Sequence, residues 1–249
     1  MLERRRPLWG MIRAMTQRIA AITGAGGALG SAVARNLHAA GYALALFDTD
    51  RGKARLDALA GELGGVAVTG DFGSPTRWAE ALDTVGKKLG SAPSHAVLVA
   101  GGWAGGAPLH ASKDDAWEAM MKLNVQTTYA SLQALLPAMV TARHGSVVVV
   151  GSRAAVRPWT SKGAAVYAAS KAAVVALAET VAAEVLEHGV RVNAILPSTM
   201  DTPANRQAMP DADPSKWVSL ESAAEVIGFL LSDASRDVSG AAIPVYGRA

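Results

Sequence analysis

The chain has 249 residues, half of them apolar, which suits one domain with a sizeable core. It contains no cysteine, so disulfides and thiolate chemistry are excluded, and a reducing, cytoplasmic setting is expected. The net charge of +3 resides in the first 14 residues, where Arg4, Arg5, Arg6 and Arg13 face Glu3 alone, so no nucleic-acid-binding surface is expected on the folded domain.

Residues 1–16 read as a disordered extension. Leu8 to Ile12 is too short for a secretory apolar core, and no small-residue cleavage site follows. The longest apolar run, 164–186, is broken by Lys171, Glu179 and Glu184, so no membrane span is expected. Residues 17–249 then form one domain, with no repeat or linker to divide them.

A strand over 18–23 opens this domain, followed at once by Gly24-Ala25-Gly26-Gly27-Ala28-Leu29-Gly30 and a helix over 28–40. Glycines permit a tight turn and close backbone approach to a pyrophosphate, and a new helix offers that anion free N–H groups. A plain structural turn is the competing reading. The second strand, 43–48, ends on Asp48, whose carboxylate suits adenosine ribose hydroxyls and repels a 2′-phosphate, which favours NAD(H) over NADP(H). Asp50 and Arg51 lie close by, and a turn role for Asp48 is the alternative. A helix at 51–63 and a strand at 66–70 follow. Asp71 then suits either an adenine amino group or a loop cap.

Helix 75–89 leads to strand 95–100 and to the Gly-rich segment Gly101 to Pro108, which carries Trp103. Helix 113–142 contains Asn124, and strand 146–151 precedes Ser152. Helix 164–188 carries Tyr167 and Lys171, four residues apart and hence on one face. A cation beside a phenol favours the phenolate, so the pair is a candidate acid/base device. Packing for Tyr167 and solvation for Lys171 form the competing reading. Strand 190–196, the irregular segment 197–217, helix 219–232 and strand 242–245 complete the chain. The alternation implies a parallel sheet with helices on both faces, and open sheets of this kind bind ligands beyond the strands' C-terminal ends.

Together these residues resemble the short-chain dehydrogenase/reductase family over about 17–247. The string Thr23 to Gly30 is similar to its cofactor loop, with Ala28 where many members have Gly. Tyr167 and Lys171 match its Tyr-x-x-x-Lys pair, Ser152 its catalytic Ser, and Asn124 its helix Asn. The Ser152-to-Tyr167 interval is two residues longer than usual, which implies a small insertion around 159–162. Arg191 to Pro197 resembles the sixth-strand motif, with Ser198 in place of a common Gly. The resemblance implies a Rossmann-type, doubly wound, mostly parallel seven-stranded sheet in a single domain. It also implies hydride transfer between NAD(H) and a carbonyl or alcohol carbon. Tyr167 would act as general acid/base, Lys171 would lower its pKa and bind the nicotinamide ribose, Ser152 would orient the substrate oxygen, and Asn124 would hold a proton-relaying water.

The implied cofactor contacts are Gly24, Gly26, Gly27, Ala28, Leu29, Gly30, Asp48, Asp71, Phe72, Ala100, Gly101, Gly102, Tyr167, Lys171, Pro197, Thr199 and Thr202. Within the family, Gly101 to Gly106 and the 201–213 motifs are similar to dihydropteridine reductases, whose loop Trp lines a pterin pocket; a quinonoid pterin is thus an alternative substrate. Those enzymes have Ala where Ser152 stands, which favours the carbonyl. Trp103, Arg153, Trp159 and Arg206 are candidate pocket residues, and either Arg suits an anionic substrate. A non-catalytic NAD-binding sensor is a third reading. No metal is implied, the partner is a small molecule, and helices 113–142 and 164–188 are expected to pair into a homodimer or homotetramer.

Overall fold

A computed structural model describes residues 17–248; the 1–16 segment lies outside the described residues. Seven strands form one sheet: β1 (Ile19–Thr23), β2 (Ala43–Asp48), β3 (Val66–Thr69), β4 (His95–Leu98), β5 (Gly145–Val150), β6 (Val190–Pro197) and β7 (Ala242–Val245). Their order is β3-β2-β1-β4-β5-β6-β7, every pairing is parallel, and the register includes Thr23 beside Phe47 and Leu98. Central strands such as β1 and β5 are buried along their whole length, which explains their unbroken apolar sequence.

Helices α1 (Ala28–Ala39), α2 (Lys53–Leu63), α3 (Pro75–Leu89), α4 (Ala116–Met120), α5 (Thr127–Ala142), α6 (Arg153–Val156), α7 (Ala165–Val185), α8 (Pro203–Ala208) and α9 (Leu220–Leu231) connect them. One core layer joins the sheet to α1, α2 and α9 through Val33, Leu37, Leu56 and Ile227. The other joins it to α3, α5 and α7 through Trp78, Leu135, Met139 and Val174. Phe47, Phe72 and Trp78 meet there with ring centroids 4.9 to 5.1 Å apart.

The single helix expected over 113–142 is instead α4 and α5 joined by a π-type turn at Met121–Gln126. Its apolar pattern runs on through the turn, so periodicity leaves no mark of the widened backbone. Residues 165–188 are long and apolar enough to cross a membrane by length and composition. Here they pack on the sheet through Val174, Ala178, Ala182 and Val185.

The sheet reverses its winding between β1 and β4. Just beyond their ends, the Ala100 N–H donates to Thr23 Oγ1 at 3.1 Å, which joins the two loops at the crevice where such sheets bind ligands.

Candidate active site

The turn after β1 is shaped by close packing. Gly24 has φ +65°, in the left-handed region, and a Cβ there would lie 3.1 Å from the Ala100 backbone. A Cβ on Gly30 would overlap the Gly24 carbonyl oxygen and lie 2.7 Å from Ala25 Cα. Helix α1 therefore starts tight against the turn. Its N-cap is Gly27, with no side chain capping the first turn, so its N–H groups are available to an anion.

Asp48 and Arg55 hold this turn from outside. Asp48 Oδ2 accepts the Gly26 N–H at 2.8 Å, and Oδ1 accepts the Thr49 N–H at 2.7 Å. Oδ1 also accepts the Thr49 hydroxyl at 3.4 Å, so Oδ2 is the oxygen that keeps a lone pair for a ligand hydroxyl. Arg55 Nε donates to the Gly26 carbonyl at 3.0 Å. Asp71 takes the loop role: its Oδ1 accepts the Gly73 N–H at 2.9 Å. The Phe72 side chain is buried in the aromatic core, so only its backbone is placed to meet a ligand.

On the other side of the crevice, Asn124 sits fully buried in the π-type turn, a feature frequent at functional sites. Its amide accepts the Gly102 N–H at 2.8 Å and donates to the Gly102 carbonyl at 3.1 Å and to Ser170 Oγ at 2.9 Å. A Cβ on Gly101 would lie 2.6 Å from Asn124 Oδ1 and 3.4 Å from Lys171 Nζ. Gly101, Gly102, Asn124 and Lys171 thus converge. Asn124 here fastens the β4 loop to α7.

Ser152 is the N-cap of α6, its Oγ accepting the Ala154 N–H at 3.1 Å. Between Ser152 and Tyr167 the chain forms the 3₁₀ turn Pro158–Thr160, and Gly163 takes φ +83°. Tyr167 and Lys171 lie on α7. Lys171 Nζ is buried and donates to the Val150 carbonyl at 2.9 Å, and burial pushes its pKa down to about 8. Burial raises the Tyr167 pKa, and a hydrogen bond with Ser152 works the other way. The expected lowering of the phenol by Lys171 is therefore not what dominates: the low-dielectric surroundings do, and the ammonium is turned towards Val150.

Ala100 and Gly102 are held as described, Pro197 ends β6, and the Thr199 carbonyl accepts from Val218 N at 2.9 Å. Thr202 caps α8, its hydroxyl accepting the Asn205 N–H at 3.1 Å. Among the candidate pocket residues, Trp103 and Trp159 are 65% and 74% exposed. Arg206 is bound to Asp201 by two contacts of 2.6 and 2.7 Å. Arg153 opens α6, its guanidinium 5.7 Å from the ring centre of Tyr246.

Two residues in this arrangement escaped the sequence reading. Ser170 is fully buried beside Lys171, and a hydroxyl on the buried face of an Ala-rich helix was a usable signal. Arg55 gave none, because nothing in α2 marks it off from a solvated cation.

Residues 18–213 match the family described as short chain dehydrogenase. The chain is 31% identical to 2-(S)-hydroxypropyl-CoM dehydrogenase 3 of Xanthobacter autotrophicus, over 95% of this chain and 98% of that protein. It is 30% identical to (3R)-3-hydroxyacyl-CoA dehydrogenase of Mus musculus, over 92% of this chain and 95% of that protein. Among solved structures, an NAD+-bound xylitol dehydrogenase superposes with a TM-score of 0.82 at 27% identity, covering 92% of this chain and 98% of that one. An oxidoreductase of the same family from Burkholderia thailandensis gives 0.82 at 33% identity, covering 93% and 92%. Fold, glycine turn and the Ser152–Tyr167–Lys171 set all agree with this: the chain belongs to the short-chain dehydrogenase family.

Proposed function

We propose that this protein is an NAD(H)-dependent oxidoreductase that interconverts an alcohol and its carbonyl compound. The observation that carries the reading is the convergence of Tyr167, Ser152 and Lys171 at the crevice bounded by the Gly24–Gly30 turn and Gly101.

The residues present suit a nicotinamide dinucleotide. Gly24 to Gly30 and the uncapped start of α1 would hold its pyrophosphate, and Asp48 its adenosine ribose. Asp71, the Phe72 backbone, Ala100 to Gly102, Pro197, Thr199 and Thr202 complete the cradle. When bound, the cofactor supplies or accepts the hydride. The protein handles the proton. Tyr167 donates from its hydroxyl to a developing alkoxide, or removes that proton in the reverse direction. Ser152 presents a hydroxyl to the substrate oxygen and orients it beside Tyr167. Lys171, short of water, holds a positive charge that favours the phenolate as the proton leaves. Relatives in solved structures hold NAD in some cases and NADPH in another, and Asp48 is what favours NAD(H) here.

Self-association belongs to the same proposal. Trp117, Met121, Val125, Tyr129 and Leu177 line an open apolar groove between the α4–α5 segment and α7, and Trp117 and Tyr129 are each more than half exposed. Light scattering across a dilution series tests it, and a monomer at every concentration would count against it.

The decisive assay is NADH oxidation with ketones, aldehydes and quinones beside a quinonoid dihydropterin. Turnover of a carbonyl is expected. Turnover of the pterin alone would transfer the assignment to pterin reduction, and NADH binding with no oxidation by any compound would defeat the catalytic reading.

A further inference from the structure

We propose that Gly52 is a positioning residue for cofactor selection: by presenting no side chain, it lets the Asp48 carboxylate seat against the phosphate turn, where it favours the ribose diol of NAD(H) over a 2′-phosphate. The proposal rests on the NAD(H) reading above and deepens it, naming what keeps the selecting carboxylate in place.

The Asp48 carboxylate lies between two glycines. A Cβ on Gly26 would stand 2.8 Å from Oδ2. A Cβ on Gly52 would stand 2.7 Å from Cγ, 2.8 Å from Oδ1 and 3.0 Å from Oδ2. Atoms overlap at such distances, so a methyl group on either side would evict the carboxylate. Gly26 belongs to the phosphate turn itself, and its replacement would disturb the whole cradle. Gly52 stands outside that turn. Its φ of −87° and ψ of −4° are turn values that most residues adopt, so the backbone does not require glycine there. Its N–H donates to the Thr49 carbonyl at 2.8 Å, which closes the chain around the carboxylate. The three nearest atoms that a Cβ would meet all belong to the Asp48 carboxyl group.

The Asp48 main chain cannot yield in place of its side chain. It ends β2 in register with Thr69, and its carbonyl accepts the Gly70 N–H at 3.0 Å. A methyl group on Gly52 therefore forces the carboxylate to rotate. Rotation breaks the contacts that aim it, the Gly26 N–H on Oδ2 at 2.8 Å and the Thr49 N–H on Oδ1 at 2.7 Å. Oδ2 then leaves the edge of the phosphate turn. A ribose diol loses an acceptor, whereas a 2′-phosphate is freed of a like charge. The two cofactors respond in opposite directions, which a general loosening of the fold would not produce.

Fluorescence titration of the full-length protein with NADH and NADPH decides it, in wild type, Gly52→Ala, Asp48→Ala and the double variant. Gly52→Ala should weaken NADH by about tenfold, the worth of a charged hydrogen bond, and hold or improve NADPH, so that the preference narrows. NADPH binding by the same sample shows that the fold and the phosphate turn survive. In Asp48→Ala the carboxylate is gone and the methyl group has room, so adding Gly52→Ala should change NADH affinity by about twofold at most. That coupling decides the inference even where wild type holds NADPH as tightly as NADH, a result that would instead strike the NAD(H) reading. Equal NADH affinity in wild type and Gly52→Ala, or an equal loss with and without Asp48, overturns the inference. Loss of both cofactors together also overturns it, because Gly52 would then shape the whole turn.

Discussion

Asp48 and Arg55 hold the two polar backbone groups of Gly26 from opposite sides, the carboxylate taking its N–H at 2.8 Å and the guanidinium its carbonyl at 3.0 Å. The residue expected to select the cofactor's ribose is thus also a strut of the phosphate turn. Selectivity and turn geometry are consequently linked.

Substitution at either strut should show this linkage. Arg55→Met removes one charged hydrogen bond from the turn, and we expect NADH affinity to fall by about three- to tenfold with little change in kcat. Asp48→Asn should weaken NADH binding and, by removing a like charge, narrow the preference over NADPH. Fluorescence titration with both cofactors measures the two effects. Unchanged affinities in Arg55→Met would show that Gly26 holds its place unaided.

Tyr167→Phe keeps the ring and deletes the only group proposed to exchange a proton with substrate. Turnover should fall by about 10²- to 10⁴-fold, the usual worth of a general acid, while NADH binding stays intact. Wild-type turnover in this variant would remove Tyr167 from the mechanism.

Gly30→Ala places a methyl group where the Gly24 carbonyl and Ala25 backbone already lie. Backbone atoms cannot yield as a flexible side chain does, so α1 must shift away from the turn. A strain of about 1–3 kcal/mol is expected, seen as a fall in Tm, with loss of NADH binding measured alongside. Gly61→Ala is the control, because a Cβ there meets nothing within 4 Å.

Acid stability should depend on His95. It is buried beside Tyr42, whose ring is 5.0 Å away, and its Nδ1 lies 2.9 Å from Ser94 Oγ. Burial, reinforced by the charges of His144, Arg18 and Arg191, pushes its pKa from 6.5 down to about 4; Asp233 opposes this. Between those two values the unfolded chain binds the proton and the folded chain does not. Stability from this residue is therefore complete above about 6.5 and falls as pH drops towards about 4. Urea unfolding of wild type and His95→Gln at pH 7 and pH 4.5 checks it: the variant should lose less stability between the two. An identical pH response in both proteins would assign acid sensitivity elsewhere.

Much of the fold was legible because buried parallel strands and amphipathic helices leave strong patterns. β2 and β7 fall on the expected residues, β5 is shifted by one residue at both ends, and the other strands differ by one or two at one end. The π-type turn was not legible, since a helix widened by one residue keeps its composition. Helices α6 and α8, of four and six residues, are too short to show a period and are set by the caps Ser152 and Thr202. In the site, the motif residues were legible and their partners were not. Nothing local to Asn124 points to Gly102 or Ser170, which lie 22 and 46 residues away along the chain.

That separation has a kinetic consequence. The Asn124 amide joins three segments that meet only when the sheet has brought β4, the π-type turn and α7 together. Local helices form early, whereas contacts between distant segments wait on loop closure. During refolding, helical circular dichroism should therefore return first, and the capacity to bind NADH should follow as the last event of assembly.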